Sequence, residues 1–205
     1  ALIDADGNAA AQQVVGEDGR YSFNLIRSGT YALRFTLPGG ELFADRNGAE
    51  GGSCVEPVEG GTATTEPMTL EAGQKLGNLN VGAIEACEIG DTVWLDSNGN
   101  GLQDYGEANL ADVELTLLHA DTMTAAAQTA SDEYGYYHFK NLRPGSYVLR
   151  VEMDEGDTLT FRFGAPLGEI DSDIDPQTGL SDVIRLQSGE RRLNVDIGLT
   201  EHAKD

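Results

Sequence analysis

Between Asp96 and Glu107 the chain sets oxygen-bearing side chains at the first, third, fifth, ninth and twelfth places of a twelve-residue stretch, with a glycine sixth. That order is the donor set of a loop that wraps a hard cation, because calcium accepts neutral amide and carbonyl oxygens alongside carboxylates at flexible distances. In this reading Asp96, Asn98 and Asn100 each offer one oxygen and Gly101 makes the sharp turn. Leu102 offers its main-chain carbonyl, Asp104 binds directly or through water, and Glu107 closes the shell with both oxygens. The alternative is an Asn/Gly-rich hairpin in which Asp and Asn cap their own backbone. Such a turn has no use for a glutamate six residues past the glycine, so calcium (Ca2+) is the cofactor expected.

A second set of carboxylates, Asp171, Asp173 and Asp175, alternates beside Glu169. Adjacent carboxylates repel, so the set is either a solvated acidic turn or a further cation cluster, and the spacing favours the cation. Nothing comparable points to catalysis. His119, His138 and His202 are scattered, and no Ser/His/Asp or Cys/His arrangement with a recognisable context occurs. The protein is expected not to be an enzyme.

The elements around the first loop read as strands rather than the helices of an EF-hand. Ile89, Thr92, Val93 and Trp94 precede it, and Val113 to Leu118 follows it with alternating apolar residues. A loop between strands is a clip that fixes a β-domain, not a sensor that opens a helix pair. Laid on itself at an offset of 116, the sequence repeats without a gap: Tyr21, Phe23, Arg27, Gly29, Tyr31 and Leu33 fall on Tyr137, Phe139, Arg143, Gly145, Tyr147 and Leu149. The predicted organisation is all-β, two tandem Ig-like or prealbumin-like antiparallel β-sandwich domains over residues 1–86 and 87–200, with 201–205 a polar tail. Turn spacing implies about seven strands per unit, including Thr158 to Phe163, Asp182 to Leu186 and Leu193 to Leu199, with Tyr147, Leu149 and Val151 on one face.

If Ile89 to Trp94 runs parallel to the final strand, the Asp96 loop and the Asp171 to Asp175 turn reach the same pole, with shared or neighbouring ions expected there. Cys54 aligns with Ile170, in the equivalent turn of the first unit, and Cys87 lies just past that unit's last strand. A Cys54–Cys87 disulfide securing the junction is therefore expected, with two unrelated thiols as the alternative. Closing a loop of about 33 residues would stabilise by roughly 3 to 4 kcal/mol in the chain-entropy picture and would suit an oxidising, extracellular address.

The run Ile89-Gly-Asp-Thr-Val-Trp-Leu-Asp-Ser-Asn-Gly-Asn-Gly-Leu-Gln-Asp, then Tyr137-His-Phe-Lys-Asn-Leu-Arg-Pro-Gly-Ser-Tyr, Asp171-Ser-Asp-Ile-Asp and Asn194-Val-Asp-Ile-Gly-Leu, resembles the SdrD B-like repeat of bacterial surface proteins, a relative of the collagen-adhesin B-type domain. The resemblance covers residues 87–200 and, in the first unit, begins only at the second strand. It implies a calcium-stabilised sandwich repeated in tandem as the stalk that holds an adhesive head away from the cell wall. Two departures stand out. Related domains crosslink a first-strand Lys to a last-strand Asn with a nearby Glu. Here the lysines are Lys75, Lys140 and Lys204, none on a first strand, and Phe35 and Val151 hold the Glu position. The first unit also begins at Ala1, which aligns with Leu117, so its first strand and any calcium loop are missing. Truncation or proteolysis is the expected cause; the alternative is an edge that accepts a strand from a neighbour.

Composition narrows the partners. Thirty-five acidic against thirteen basic residues give a net charge of -22, which repels phosphate backbones and anionic membranes. Residues 1–86 carry 12 acids and 5 bases, and 87–205 carry 23 and 8, so the surplus sits with the loop. No run approaches the ~20 apolar residues of a membrane span, and no signal peptide or lipidation motif appears, so the chain is expected to be an interior piece of something longer. Two functions fit: a structural spacer of a cell-surface adhesin or scaffold, partnered by neighbouring repeats, or a module that binds an extracellular protein or glycan. Tyr105 and Tyr134 are the loop aromatics available for a sugar platform.

Overall fold

A computed structural model describes residues 1–46, 53–56, 58, 60–162 and 171–201, and every regular element among them is a β-strand. No helix of the described residues is long and apolar enough to cross a membrane. Contacts divide the chain into two units, Ala1–Glu85 and Ala86–Asp205.

The first unit contains β1 (Leu2–Asp4), β2 (Ala9–Ala11), β3 (Gly29–Thr36), β4 (Glu41–Phe43), β5 (Thr62–Thr64), β6 (Met68–Leu70) and β7 (Ala83–Glu85). One sheet runs β2, β1, β3, with β5 and β6 both paired to β3, and β4 pairs with β7 alone. Phe43, Val55 and Ala63 are buried at its centre, with Phe35, Leu37, Cys54 and Val81 packed on them.

The second unit contains β8 (Cys87–Leu95), β9 (Glu114–His119), β10 (Ala125–Ala130), β11 (Tyr136–Leu142), β12 (Gly145–Val151), β13 (Thr158–Leu159), β14 (Ile174–Asp175), β15 (Leu180–Ser181), β16 (Ile184–Leu186), β17 (Arg191–Arg192) and β18 (Ile197–Glu201). One sheet runs β10, β9, β12, β15, β14 with β16 on β12, and the other runs β11, β8, β18, β13 with β17 on β8. Their inner faces meet in one core. Ile89, Val93, Tyr137, Phe139, Ile197 and Leu199 come from one side, and Leu115, Leu117, Tyr147, Leu149 and Val151 from the other. Burying each such side chain contributes about 1.5 to 3 kcal/mol, and this sandwich core is what holds the loops in place.

The ladder between β8 and β18 is parallel, Ile197 opposite Val93 and Leu199 opposite Leu95, as the pole argument required. Several strands are shorter than expected. The one over 158–163 ends at Leu159, with Phe163 outside the described residues, and the one over 182–186 begins at Ile184. The final strand begins at Ile197 rather than Leu193, because the Asp196 amide is taken by the Asp173 carboxylate at 3.0 Å instead of a ladder partner.

Both cysteines are free thiols, which corrects the expected Cys54–Cys87 disulfide. Cys87 is wholly buried in the second unit's core, and its Sγ donates to the Gln187 carbonyl at 2.9 Å. Cys54 packs on the first unit's core, where burial pushes its thiol pKa up. Each sulfur is enclosed by its own unit, as small buried hydrophobes commonly are.

Candidate metal centre

β8 delivers Asp96 into the interior, where it is only 1% exposed, and its amide donates to the Leu199 carbonyl at 2.7 Å. A buried carboxylate has to be hydrogen-bonded, and the following residues fold around this one to meet that demand. Asp96 Oδ1 accepts from the amides of Gly99 at 2.7 Å and Asn100 at 3.2 Å. Oδ2 accepts from the Gly101 amide at 2.7 Å and from the Thr160 hydroxyl at 2.5 Å. Burial raises the Asp96 pKa, but the Thr160 hydroxyl and the three amides together outweigh it and hold the carboxyl below its ordinary value. Gly101 adopts φ +81, and a Cβ there would lie 2.7 Å from the Phe161 carbonyl oxygen. The sixth place therefore requires glycine twice over, for its left-handed backbone and for the close approach.

The remaining oxygens turn inward. Asn98 Oδ1 accepts from the Asn100 amide and Asn100 Oδ1 from the Leu102 amide, at 2.9 and 2.8 Å. The amide nitrogens of Asn98 and Asn100 both lie 2.7 Å from the same Asp104 oxygen, Oδ2. The third, fifth and ninth places thus converge on one point. Each Asn oxygen, already accepting one main-chain amide, keeps a second lone pair, and a hard cation beside Asp104 would draw on those oxygens, with the side chains rotated to bring them rather than the nitrogens toward it. Glu107 ties the loop's ends, Oε1 accepting from the Ser97 amide at 2.9 Å and the Ser97 hydroxyl at 3.2 Å, and Oε2 from the Asp104 amide at 3.0 Å, which leaves Oε2 a further lone pair. Among the described residues no three His, Cys, Asp or Glu side chains are grouped to hold a metal by themselves. A cation here depends on the amides and on the Leu102 carbonyl as well as the carboxylates.

The Asp171 segment lies against this loop. Leu102 and Asp171 form an antiparallel bridge, and the Ser172 amide donates to the Gly101 carbonyl at 3.2 Å. The three aspartates nevertheless part company. Asp171 is buried beside the loop backbone, at 6% exposure. Asp173 pairs with Asp196 through both main chain and side chain. Asp175 caps its own turn, accepting from the Gln177 amide at 2.8 Å. Glu169 lies outside the described residues.

Asp91 and Asp196 were not singled out from the sequence. Thr92 donates to Asp196 Oδ1 from its amide at 3.3 Å, and its hydroxyl lies 2.9 Å from that oxygen and 3.2 Å from Asp91 Oδ1. Burial first, then the nearby Asp91 charge, raises Asp196 to about 7 against the Thr92 hydrogen bonds, with Asp173 adding to the rise. Burial likewise raises Asp91 and Asp173. The available signal was an acid set inside an apolar run, Val195-Asp196-Ile197. His138 lies 3.2 Å from Glu88, which also accepts from Arg191 at 2.7 Å; the ring belongs to a cross-strand ion cluster. His119 stacks near Tyr147, and His202 lies outside the described residues. Tyr105 is fully exposed on the loop and Tyr134 is exposed on the turn before β11.

The chain is 31% identical over 207 residues to serine-aspartate repeat-containing protein D of Staphylococcus aureus (strain MW2), covering 98% of this chain and 13% of that protein. It is 29% identical over 165 residues to serine-aspartate repeat-containing protein F of Staphylococcus epidermidis, covering 78% and 9%. It therefore spans about a tenth of the length of these relatives. Solved structures with a similar course include GBS52, the minor pilin of Streptococcus agalactiae, at TM-score 0.35 and 14% identity over 92% of this chain and 69% of that one. BcpA, the major pilin subunit of Bacillus cereus, is similar at TM-score 0.32 and 14% identity over 84% and 60%. The profile described as the SdrD B-like domain matches residues 87–199, the span that holds the oxygen-lined loop and the whole sandwich around it, and the chain belongs to that family.

Proposed function

We infer that this chain is a calcium-stabilised spacer of a bacterial cell-surface adhesin or scaffold protein, held outside the cell by parts of a longer polypeptide. It is a structural repeat and not a catalyst. The observation that carries this reading is the convergence of Asn98, Asn100 and Asp104 on one point, in a loop whose Leu102 is bridged to Asp171. A cation there would be held by Asp96, Asn98, Asn100, the Leu102 carbonyl, Asp104 and Glu107. It would offset the repulsion among the loop's acids and would lock the loop to the Asp171 segment. A domain with its loops clipped in this way deforms less under load, which is what a stalk requires.

Calcium itself is tested with terbium, a hard cation whose luminescence is sensitised through Trp94, two residues before the loop. Titration is expected to give a saturable signal that millimolar calcium competes away and that Asp104→Ala with Asn98→Ala abolishes. A signal unchanged in that double variant would remove the loop from the account.

A further inference from the structure

Three asparagines of the chain precede a glycine, and two of these pairs, Asn98-Gly99 and Asn100-Gly101, lie in the Asp96 loop. An asparagine followed by glycine is chemically fragile. The glycine nitrogen, unhindered by a Cβ, attacks the asparagine Cγ; the bond from Cγ to the side-chain nitrogen breaks, and ammonia leaves with the amide proton. Water then opens the five-membered imide at one carbonyl or the other, leaving aspartate or isoaspartate. Water is the only co-reactant. The rate is set by how freely the glycine nitrogen and the side-chain carbon can meet.

In this loop neither pair is free. The Gly99 amide donates to Asp96 Oδ1 and the Gly101 amide to Asp96 Oδ2, each at 2.7 Å, so one carboxylate holds both attacking nitrogens. Hydrogen bonds to an anion are among the stronger ones, and an amide beside a negative charge gives up its proton less readily. The leaving groups are held as well, because the side-chain nitrogens of Asn98 and Asn100 both donate to Asp104 Oδ2 at 2.7 Å. Their side-chain oxygens accept from the amides two residues on, at 2.9 and 2.8 Å. Those last bonds polarise the carbonyls toward attack, so the protection rests on the nitrogens. Asp96 itself is 1% exposed and is fixed by the Thr160 hydroxyl.

We propose that Asn98 and Asn100 form a latent modification site that Asp96 keeps closed, and that opening of the loop converts them irreversibly to aspartate or isoaspartate. Conversion at either place puts an acceptor oxygen where an amide donor stood, 2.7 Å from Asp104 Oδ2. A hydrogen bond becomes a repulsion between carboxylates, in a stretch, residues 87–205, that already carries 23 acids against 8 bases. An isoaspartate also adds a methylene to the main chain, which breaks the spacing from Asp96 to Glu107. One opening therefore makes the next easier, and the loop keeps a lasting record of it. This inference does not depend on calcium.

The test incubates the full chain in chelator at neutral pH and follows each asparagine by peptide mapping and mass spectrometry, which resolves the small mass gain as ammonia is exchanged for water. The reference is a synthetic peptide of residues 95–108 in the same buffer. Conversion at Asn98 and Asn100 is expected to be slower in the chain by about tenfold or more, and Asp96→Ala is expected to remove most of that difference. Gly90→Ala weakens the same unit by crowding the Tyr137 carbonyl oxygen, and is expected to leave the rates near those of the unaltered chain. Should Asp96→Ala fail to fold, hydrogen exchange at the Gly99 and Gly101 amides of the unaltered chain reads the same shield, and is expected to be slowed by about tenfold or more relative to the peptide. Equal conversion in chain and peptide, unprotected glycine amides, or a folded Asp96→Ala chain that converts as slowly as the unaltered one would overturn the proposal. Equal acceleration by Asp96→Ala and Gly90→Ala would also overturn it, by tracing the protection to overall stability.

Discussion

Asp96 sits where the last residue of a central strand becomes the first of a loop, and it organises both. Its carboxylate gathers three backbone amides and the Thr160 hydroxyl, so its removal strands buried donors whether or not a cation is bound. Asp96→Ala is expected to destabilise the second unit by about 3 kcal/mol even in chelator, measured by urea denaturation, since orphaned buried partners of a charged group cost about 1 to 3 kcal/mol each. Asp196 makes the opposite kind of statement. Burial, and then the Asp91 charge, raises it to about 7, so the folded chain keeps a proton that the unfolded chain, with an ordinary value of about 3.9, has released. Between pH about 4 and about 7 the folded state binds more protons, and stability therefore falls as pH rises through that window. Denaturation in chelator across this range is expected to show the decline, and Asp196→Asn to flatten it.

Strands carry these residues to one place, and the strands depend on close approach. Gly90 lies at mid-β8, where a Cβ would meet the Tyr137 carbonyl oxygen at 2.5 Å. Because the obstacle is backbone, the β11 ladder has to move. Gly90→Ala is expected to cost about 2 kcal/mol or more, seen as a lower urea midpoint with an unchanged slope. Much at this scale was legible beforehand. The strand formers on either side of Asp96 to Glu107 announce a loop between two strands, and the apolar alternation at Tyr147, Leu149 and Val151 announces a core face. The parting of Asp171, Asp173 and Asp175 was not legible. Alternation along an extended segment says that neighbours point apart, but not that Asp173 would be taken by Asp196 while Asp175 caps a turn. The cysteines misled because alignment places backbones, whereas a disulfide depends on where the sulfurs point. Cys87 points into its own core.

At the scale of the whole chain, the two units differ in what they hold. The second carries the oxygen-lined loop and most of the negative charge. On the proposed calcium reading, at ten times a dissociation constant of ~0.1 to 1 mM one bound ion would stabilise the second unit by about 1.4 kcal/mol, which corresponds to roughly 4 °C in midpoint for a unit of this size. Scanning calorimetry of the chain in 10 mM calcium and again in excess chelator reads this directly. The second unit's transition is expected to fall by about 4 °C or more on chelation while the first unit's stays in place. Coincident thermograms in the two buffers would contradict the calcium-stabilised spacer.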